Sequence, residues 1–247
     1  MITRADIQLV KALASDKSVR NTERLFVVEG AKCVGEVLGS RFEVARLFAT
    51  DEFPTDCKLV ERVSSKEMER ISSLRTPTDV LALVRMPHNK LPQTGSDELV
   101  LALDAVQDPG NLGTIIRVAD WYGILHVVCS LDSADCYNPK VVQASMGALL
   151  RVEVSYVGLA EWLGSARKSG VELYGTALEG ENIYSATLAR SGVIVMGNEG
   201  HGISSSTSAL ITRRLFVPPF PIGRQGSESL NVGVATAVVC NEFRRRM

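Results

Sequence analysis

Three short stretches bring together residue types that can hold a ligand and orient a reaction. Near the C-terminus, Ser229-Leu230-Asn231-Val232 opens a segment that runs to Cys240 and is apolar or small on nearly every side, the pattern of a helix buried over most of its surface. Ser229 can cap the free amides of the first turn, and Asn231 offers a donor and an acceptor where the chain becomes buried. A polar cluster at a helix N-terminus suits a ligand, because orphan amides and the positive end of the dipole point there. An ordinary capped core helix has the same pattern. The second stretch, Leu103 to Arg117, reads as the end of an apolar strand, a polar turn Gln107-Asp108-Pro109-Gly110-Asn111, and a helix that carries Arg117. The third repeats that plan: the apolar Ile194-Val195-Met196 breaks into Gly197-Asn198-Glu199-Gly200-His201-Gly202, three glycines around one acid.

These stretches must be positioned by a scaffold, and from Leu99 onward strands and helices alternate. Strands are expected at Leu99 to Leu103, Ile124 to Cys129, Val152 to Val157, Val171 to Thr176, Val193 to Met196 and Leu215 to Val217. Most are apolar runs without polar alternation, which implies a parallel sheet covered on both faces, an α/β fold. Helices fall between them at Gly113 to Tyr122, Pro139 to Leu150, Leu159 to Ser169 and Ser204 to Ile211. A dinucleotide-binding fingerprint is missing, because the first strand leads into Gln107-Asp108-Pro109-Gly110-Asn111 and the glycine loop comes late.

Residues 1–90 form a smaller α/β unit. Ile2 to Leu13 has helical apolar spacing, and Lys11, Lys17, Arg20 and Arg24 gather along it and just after it. They are either a solvated helix face or a basic surface for an anionic partner. Leu25 to Val28, Val44 to Ala49, Leu59 to Val63 and Val80 to Val84 read as strands. A helix from Ala31 to Leu38 ends at Gly39, and Ser64 or Ser65 caps another that runs through Ile71. Residues 91–98 lie in a Pro-, Gly- and polar-rich stretch and form the linker to the unit at 99–247.

Composition narrows the function classes. The chain has 247 residues, 45% hydrophobic and 22% charged, which is ordinary for a soluble globular protein, with room for one large or two modest domains. No run approaches the length of a membrane span and no basic-then-apolar leader opens the chain, so a cytoplasmic address is expected. Five cysteines at scattered spacings, without a Cys-x-x-Cys pair, read as reduced thiols. No metal is expected, since His88, His126 and His201 are far apart and none has ligand spacing with a Cys or carboxylate. His126, inside an apolar strand, reads as a satisfied core histidine. A net charge of −1 excludes bulk electrostatic coating of nucleic acid, so any nucleic-acid binding must use local basic patches.

The Asn-x-Gly-x-x-x-Arg of Asn111 to Arg117, the Gly-Asn-Glu-Gly-x-Gly of Gly197 to Gly202 and the Ser-Leu-Asn-Val of Ser229 to Val232 resemble, in order and gaps, the motifs of the SpoU/TrmH family of RNA ribose 2′-O-methyltransferases, members of the SPOUT superfamily. The resemblance spans about Leu99 to Arg246. Arg24-Leu-Phe-Val-Val-Glu-Gly30 is similar to the start of the L30e-like substrate-binding domain that many such enzymes carry. The resemblance implies a deep trefoil knot whose loops bind S-adenosylmethionine, a homodimer packed through the first-motif helix and the last helix, and structured RNA as substrate, with ribosomal RNA favoured over transfer RNA. A non-catalytic RNA-binding protein that keeps the fold is the alternative. An unrelated α/β enzyme with a nucleophile lacks support, since no Gly-x-Ser-x-Gly elbow is present.

Methyl transfer from a sulfonium to a ribose hydroxyl requires a donor site, alignment of oxygen, carbon and sulfur, and loss of the hydroxyl proton; neither a metal nor a covalent intermediate is needed. Gly197, Gly200 and Gly202 allow close backbone approach. By resemblance, backbone around Gly197, Val217 and Leu230 holds the donor, with Ala177 and Leu178 of an earlier loop facing it. Ile222 can replace Val217, because the loop from Pro218 to Glu228 is longer than in many relatives. Arg117 is the family's proposed general base, but a guanidinium stays protonated in proteins, and binding of the target phosphate or of the developing alkoxide is less demanding. Glu199 can orient Arg117 or accept from the ribose, while Asn111, Ser229 and Asn231 suit positioning. Arg244-Arg245-Arg246 complements the dipole of the last helix.

Overall fold

The structure, a computed structural model, describes residues 2–92, 98–221 and 229–245. It divides into two compact units, Met1–His88 with Asp135–Leu150 and Asn89–Ala134 with Arg151–Met247.

The first unit contains α1 (Arg4–Ser15), α2 (Lys17–Glu23), β1 (Leu25–Glu29), α3 (Ala31–Leu38), β2 (Val44–Ala49), β3 (Val60–Arg62), α4 (Ser65–Ile71) and β4 (Val80–Arg85). The strands form one sheet in the order β1-β4-β2-β3, with the β2–β3 pair parallel and the others antiparallel. Val10 and Leu13 of α1 pack with Met68 and Ile71 of α4 on Phe48 and Leu81 of the sheet, all buried. Thr3 caps α1 in a reciprocal pair with Asp6, so the helix starts at Arg4 rather than at Ile2. Ser64 and Glu67 make the same pair at α4.

Helix α2 is absent from the apolar pattern, because in its seven residues only Val19 is apolar; Asp16 ends α1 and caps α2. This helix turns Arg20 inward. Its side chain, 2% exposed, pairs with Asp135 at 2.7 Å and donates to the Leu13 carbonyl at 2.6 Å. Arg24 ends α2 in the left-handed region and donates to the carbonyls of Met86 and Pro87. Of the expected basic group, Arg20 is therefore neither a solvated charge nor a surface for RNA.

The rest of the chain runs through β5 (Leu99–Leu103), α5 (Pro109–Trp121), β6 (His126–Ser130), α6 (Pro139–Ser145), a 3-10 turn at Ala148–Leu150, β7 (Glu153–Val157), α7 (Leu159–Lys168), β8 (Leu173–Asn182), β9 (Gly192–Met196), α8 (Ser205–Ser208), β10 (Arg213–Phe216) and α9 (Val232–Arg244). The six strands form one sheet, β10-β8-β9-β5-β6-β7, and every pair is parallel. Central β5 and β9 are buried along their whole lengths, as strands covered on both faces must be. Val100, Ala102, Val193 and Val195 meet Leu163 and Ala166 of α7 on one face.

Several boundaries differ from the sequence reading for local reasons. Asp108 caps α5, with Pro109 and Gly110 inside its first turn, so Asn111 sits on the helix and not in the preceding turn. The expected helix from Pro139 to Leu150 is broken by positive φ at Met146 (51°) and Gly147 (87°). Only Ser205–Ser208 of the expected helix at Ser204 to Ile211 forms. Strand β8 runs past Thr176, but residues 176–180 leave its ladder with β10, which resumes at Leu215↔Glu181. His126 opens β6 between Glu98 (3.7 Å) and Glu153 (3.9 Å), with no hydrogen-bond partner for its buried Nδ1 among the described residues, so it is not a satisfied core histidine. Arg244 donates to the Tyr122 and Gly123 carbonyls at the end of α5 rather than only serving its own helix, and Arg245 pairs with Glu242; Arg246 lies outside the described residues.

Two predictions follow from the first unit. Asp135→Ala leaves the Arg20 cation buried without its partner and should lower unfolding stability by about 3–5 kcal/mol in urea titration, whereas Asp135→Asn, which keeps an acceptor, should lose less. Glu67 accepts backbone bonds from Ser64 and Ile2, which hold its carboxyl at about 2 against 4.5 for a free glutamate. Its folded-state value is depressed, so its contribution is complete above pH 4.5 and fades as pH falls towards 2. The gap in melting temperature between the parent and Glu67→Gln should accordingly close over that interval.

Candidate functional site

In a parallel sheet all strands end on one edge, and strand order decides which loops are neighbours there. The chain moves outward from β5 through β6 to β7, then crosses to β8, and β9 inserts between β8 and β5. The direction reverses between β5 and β9, the place where open α/β sheets leave a crevice for ligands. The loop after β5 leads into α5 with Asn111 and Arg117, and the loop after β9 holds Gly197, Glu199 and Gly202. On the other side of β9, residues 176–180, with Ala177 and Leu178, bulge from β8, and Val217 directly follows β10.

Three of the expected residues are joined side chain to side chain. Asn111 donates through Nδ2 to Glu199 Oε1 at 2.8 Å, and Asn231 donates through Nδ2 to Asn111 Oδ1 at 2.9 Å. Asn231 Oδ1 in turn accepts from the amides of Gly233 and Val234 at 3.0 and 3.3 Å. The orientation of both amides follows from the two ends of this chain. The amides of α9 are donors only, so Asn231 must present its oxygen to them. Its nitrogen then faces Asn111, whose own nitrogen is left for a carboxylate that, when ionised, only accepts.

This geometry corrects the reading of Ser229. Asn231, not Ser229, is the N-cap of α9, and Ser229 lies exposed ahead of it. Asn231 therefore sits at the start of the helix. Gly233 lets α9 come close to α5, since a Cβ there would lie 3.0 Å from Thr114 Cγ2.

The loop after β9 is closed on itself. Asn198 and Gly202 exchange two backbone hydrogen bonds, 2.9 and 3.0 Å, and Glu199 projects from the tip. A Cβ on Gly197 would run into the backbone of Gly202 and Ile203, so only glycine permits this fold-back, and Gly202 needs its positive φ of 69°.

Arg117 stands on the exposed face of α5 with Thr114 and Trp121; no hydrogen bond or ion pair reaches its side chain among the described residues. Leu178 and Leu230 are uncovered, at 65% and 51% exposure, and Val217 is half-buried. Ile222 lies outside the described residues. Among the described residues no group of three or more His, Cys, Asp or Glu is placed to hold a metal ion, and no helix is long and apolar enough to cross a membrane.

Sequence reasoning passed over Asp104, Asp108, Asn198 and Ser204, all hydrogen-bonded within these loops. Asp108 before Pro109 carried a readable cap signal. Asp104, an acid that ends an apolar strand at the carboxyl edge, was the other available sign.

Residues 98–241 match the SpoU rRNA Methylase family, and residues 5–82 match the MRM3-like substrate binding domain. The chain is 32% identical over 234 residues to the 23S rRNA (guanosine(2553)-2′-O)-methyltransferase RlmP of Bacillus subtilis, covering 92% of each. It is 40% identical over 151 residues to the 23S rRNA (guanosine-2′-O-)-methyltransferase RlmB of Xanthomonas campestris, over 60% of this chain and 59% of that protein. A Porphyromonas gingivalis structure assigned to the TrmH family of RNA methyltransferases superposes with a TM-score of 0.89, at 40% identity and 100% coverage of both chains. An AdoMet-bound rRNA methyltransferase from Sinorhizobium meliloti superposes with a TM-score of 0.85 at 27% identity, over 100% of this chain and 97% of that one.

The two cap candidates are separable by stability. Asn231→Ala should cost about 1 kcal/mol through the lost cap, and Ser229→Ala close to none, in paired thermal melts.

Proposed function

The chain belongs to the SpoU rRNA methylase family, and from that premise we propose that it transfers the methyl group of S-adenosylmethionine to a ribose 2′-hydroxyl of 23S ribosomal RNA. The observation that carries this reading is the hydrogen-bonded chain Glu199–Asn111–Asn231, which joins one polar residue from each of the three family motifs at the carboxyl edge of the sheet. The 23S rRNA methyltransferases among the relatives support ribosomal over transfer RNA.

The residues present fit the donor. Exposed Leu178 and Leu230 offer apolar surface to an adenine, while Gly197 and Gly202 bring bare backbone to the same edge for its polar atoms. Ala177 and Val217 complete the proposed donor site, with Ile222, outside the described residues, as the alternative to Val217. When bound, S-adenosylmethionine supplies an activated methyl on a sulfonium.

The chain's own residues orient and polarise. Asn111 and Asn231 hold Glu199 in one place, with its second oxygen available to a ribose hydroxyl. Arg117, exposed and unpaired among the described residues, binds the target phosphate or the alkoxide that develops as the 2′-proton leaves, since its fixed fork of donors suits an oxyanion. Ser229 lines the turn ahead of α9. The first unit presents the RNA, in line with its match to a substrate binding domain, and a trefoil knot, a linker at 91–98 and a cytoplasmic location complete the reading.

A homodimer through α5 and α9 belongs to the same proposal. Trp121 on α5 is 83% exposed and Val234 on α9 is 51% exposed, on the two helices that carry Arg117 and Asn231. A second copy of this chain covers such surface and brings its own motifs close to it.

The test pairs titration calorimetry with transfer of labelled methyl. The parent should bind S-adenosylmethionine and label 23S RNA. Arg117→Ala should bind the donor within about twofold but turn over at least ~100-fold more slowly. A parent that neither binds the donor nor labels 23S RNA sinks the reading, and labelling of transfer RNA alone would move the substrate.

A further inference from the structure

Accepting the donor site proposed above, we propose that Asp104 is a positioning residue for it, a buried latch that keeps the loop after β9 in its binding shape.

Asp104 directly follows β5 and is 6% exposed. Its Oδ2 accepts from both the backbone amide of Ser204 (2.8 Å) and the Ser204 hydroxyl (2.7 Å). Its own amide donates to the Met196 carbonyl at 2.9 Å, continuing the β5–β9 ladder by one step. The next residue grips the start of the same loop: Asn198 Nδ2 donates to the Ala105 carbonyl at 2.8 Å, and Asn198 Oδ1 accepts from Gly200 and His201. Ala105 takes a positive φ of 56°, unusual for a residue with a side chain, and its amide is held by Ser130 Oγ at 2.8 Å. Two consecutive residues at the end of β5 thus hold the loop after β9 where it starts and where it ends. Between those points lie Glu199 and Gly202, and Gly197 directly precedes the first of them.

The electrostatics make the arrangement a latch rather than simple packing. A carboxylate taken out of water is costly unless hydrogen bonds replace its hydration. No cation pairs with Asp104 among the described residues, and both of its side-chain donors belong to Ser204. If the loop moves away, the carboxylate loses both bonds while still shielded by the sheet. The solvation of Asp104 therefore ties the loop to one conformation, with Glu199 at its tip within reach of Asn111.

The experiment uses full-length protein with Asp104→Ala, Asp104→Asn and Ser204→Ala, and reads donor binding by calorimetry and hydrogen exchange of the amides at 198–204. Asp104→Ala should raise the Kd for S-adenosylmethionine at least about tenfold, while Asp104→Asn, whose oxygen can still accept from both Ser204 donors, should stay within about threefold of the parent. Ser204→Ala, which keeps one of the two bonds, should fall between them. Exchange at 198–204 should accelerate in Asp104→Ala while the amides of β5 and β9 stay protected. Normal donor affinity in a less stable Asp104→Ala, or unchanged exchange in the loop, overturns the proposal. If Asp104→Ala fails to fold, the ordering of Ser204→Ala below Asp104→Asn in affinity decides. A parent that binds no donor defeats the donor-site reading instead, and the exchange measurement still judges the latch.

Discussion

At the carboxyl edge of its parallel sheet the structure depends on a hydrogen-bonded chain with only one possible direction. Helix α9 presents amides, Glu199 presents carboxylate oxygens, and two asparagines fill the gap between them. Each asparagine has one accepting and one donating end, so fixing either terminus fixes the whole chain. Three segments distant in sequence, the first turn of α5, the loop after β9 and the start of α9, are thereby joined through their side chains. The bonds are partly exposed and individually modest. Their value lies in specifying where Glu199 stands relative to α5 and Arg117.

The sheet makes this possible before any side chain acts. With every strand parallel, each loop that carries a motif emerges on the same edge, and the insertion of β9 beside β5 makes two of those loops neighbours. Glycine then decides how closely they fold. Gly197 accepts the backbone of Gly202 and Ile203 against it, and Gly233 lets α9 approach Thr114. A Cβ has no room at Gly197 and would be tight at Gly233, so these glycines set how closely the polar residues beside them can be brought together.

Much of this was legible in the sequence, and the failures have physical causes. Apolar runs located β5 and β9 to within a residue, because strands buried on both faces leave no polar alternation to misread. The motif residues Asn111, Glu199 and Asn231 were picked out as polar groups at element ends, and they are the ones that bond. Ser229 was misread as the cap because serine and asparagine cap equally well, and only the true start of α9 separates them. Helix α2 escaped because nothing apolar repeats along it. Arg20 escaped with it, since its partner Asp135 is 115 residues away and a local pattern contains no trace of that pairing. The strand β8 was expected to end at Thr176, with Ala177 and Leu178 in a loop, because it resumes its ladder at Glu181 only after an unpaired bulge, and a bulge leaves no compositional mark.

The arginines show how the fold treats charge. Arg20 is buried against Asp135, Arg46 is held by Asp6 and Glu61, Arg151 by Asp120 and Arg213 by Glu181. Each of these cations has an acid or carbonyl that neutralises or orients it. On α5 the contrast falls within a few residues: Asp120 faces Arg151, while Arg117, one turn earlier, meets no acceptor among the described residues. An exposed guanidinium without a partner keeps its full charge and five donors for an incoming anion, and no internal ion pair has to break before that anion binds. A chain with a net charge of −1 cannot attract a polyanion by its overall field. Attraction must come from particular cations left uncommitted, and Arg117, exposed on the helix that carries Asn111, is one such cation among the described residues.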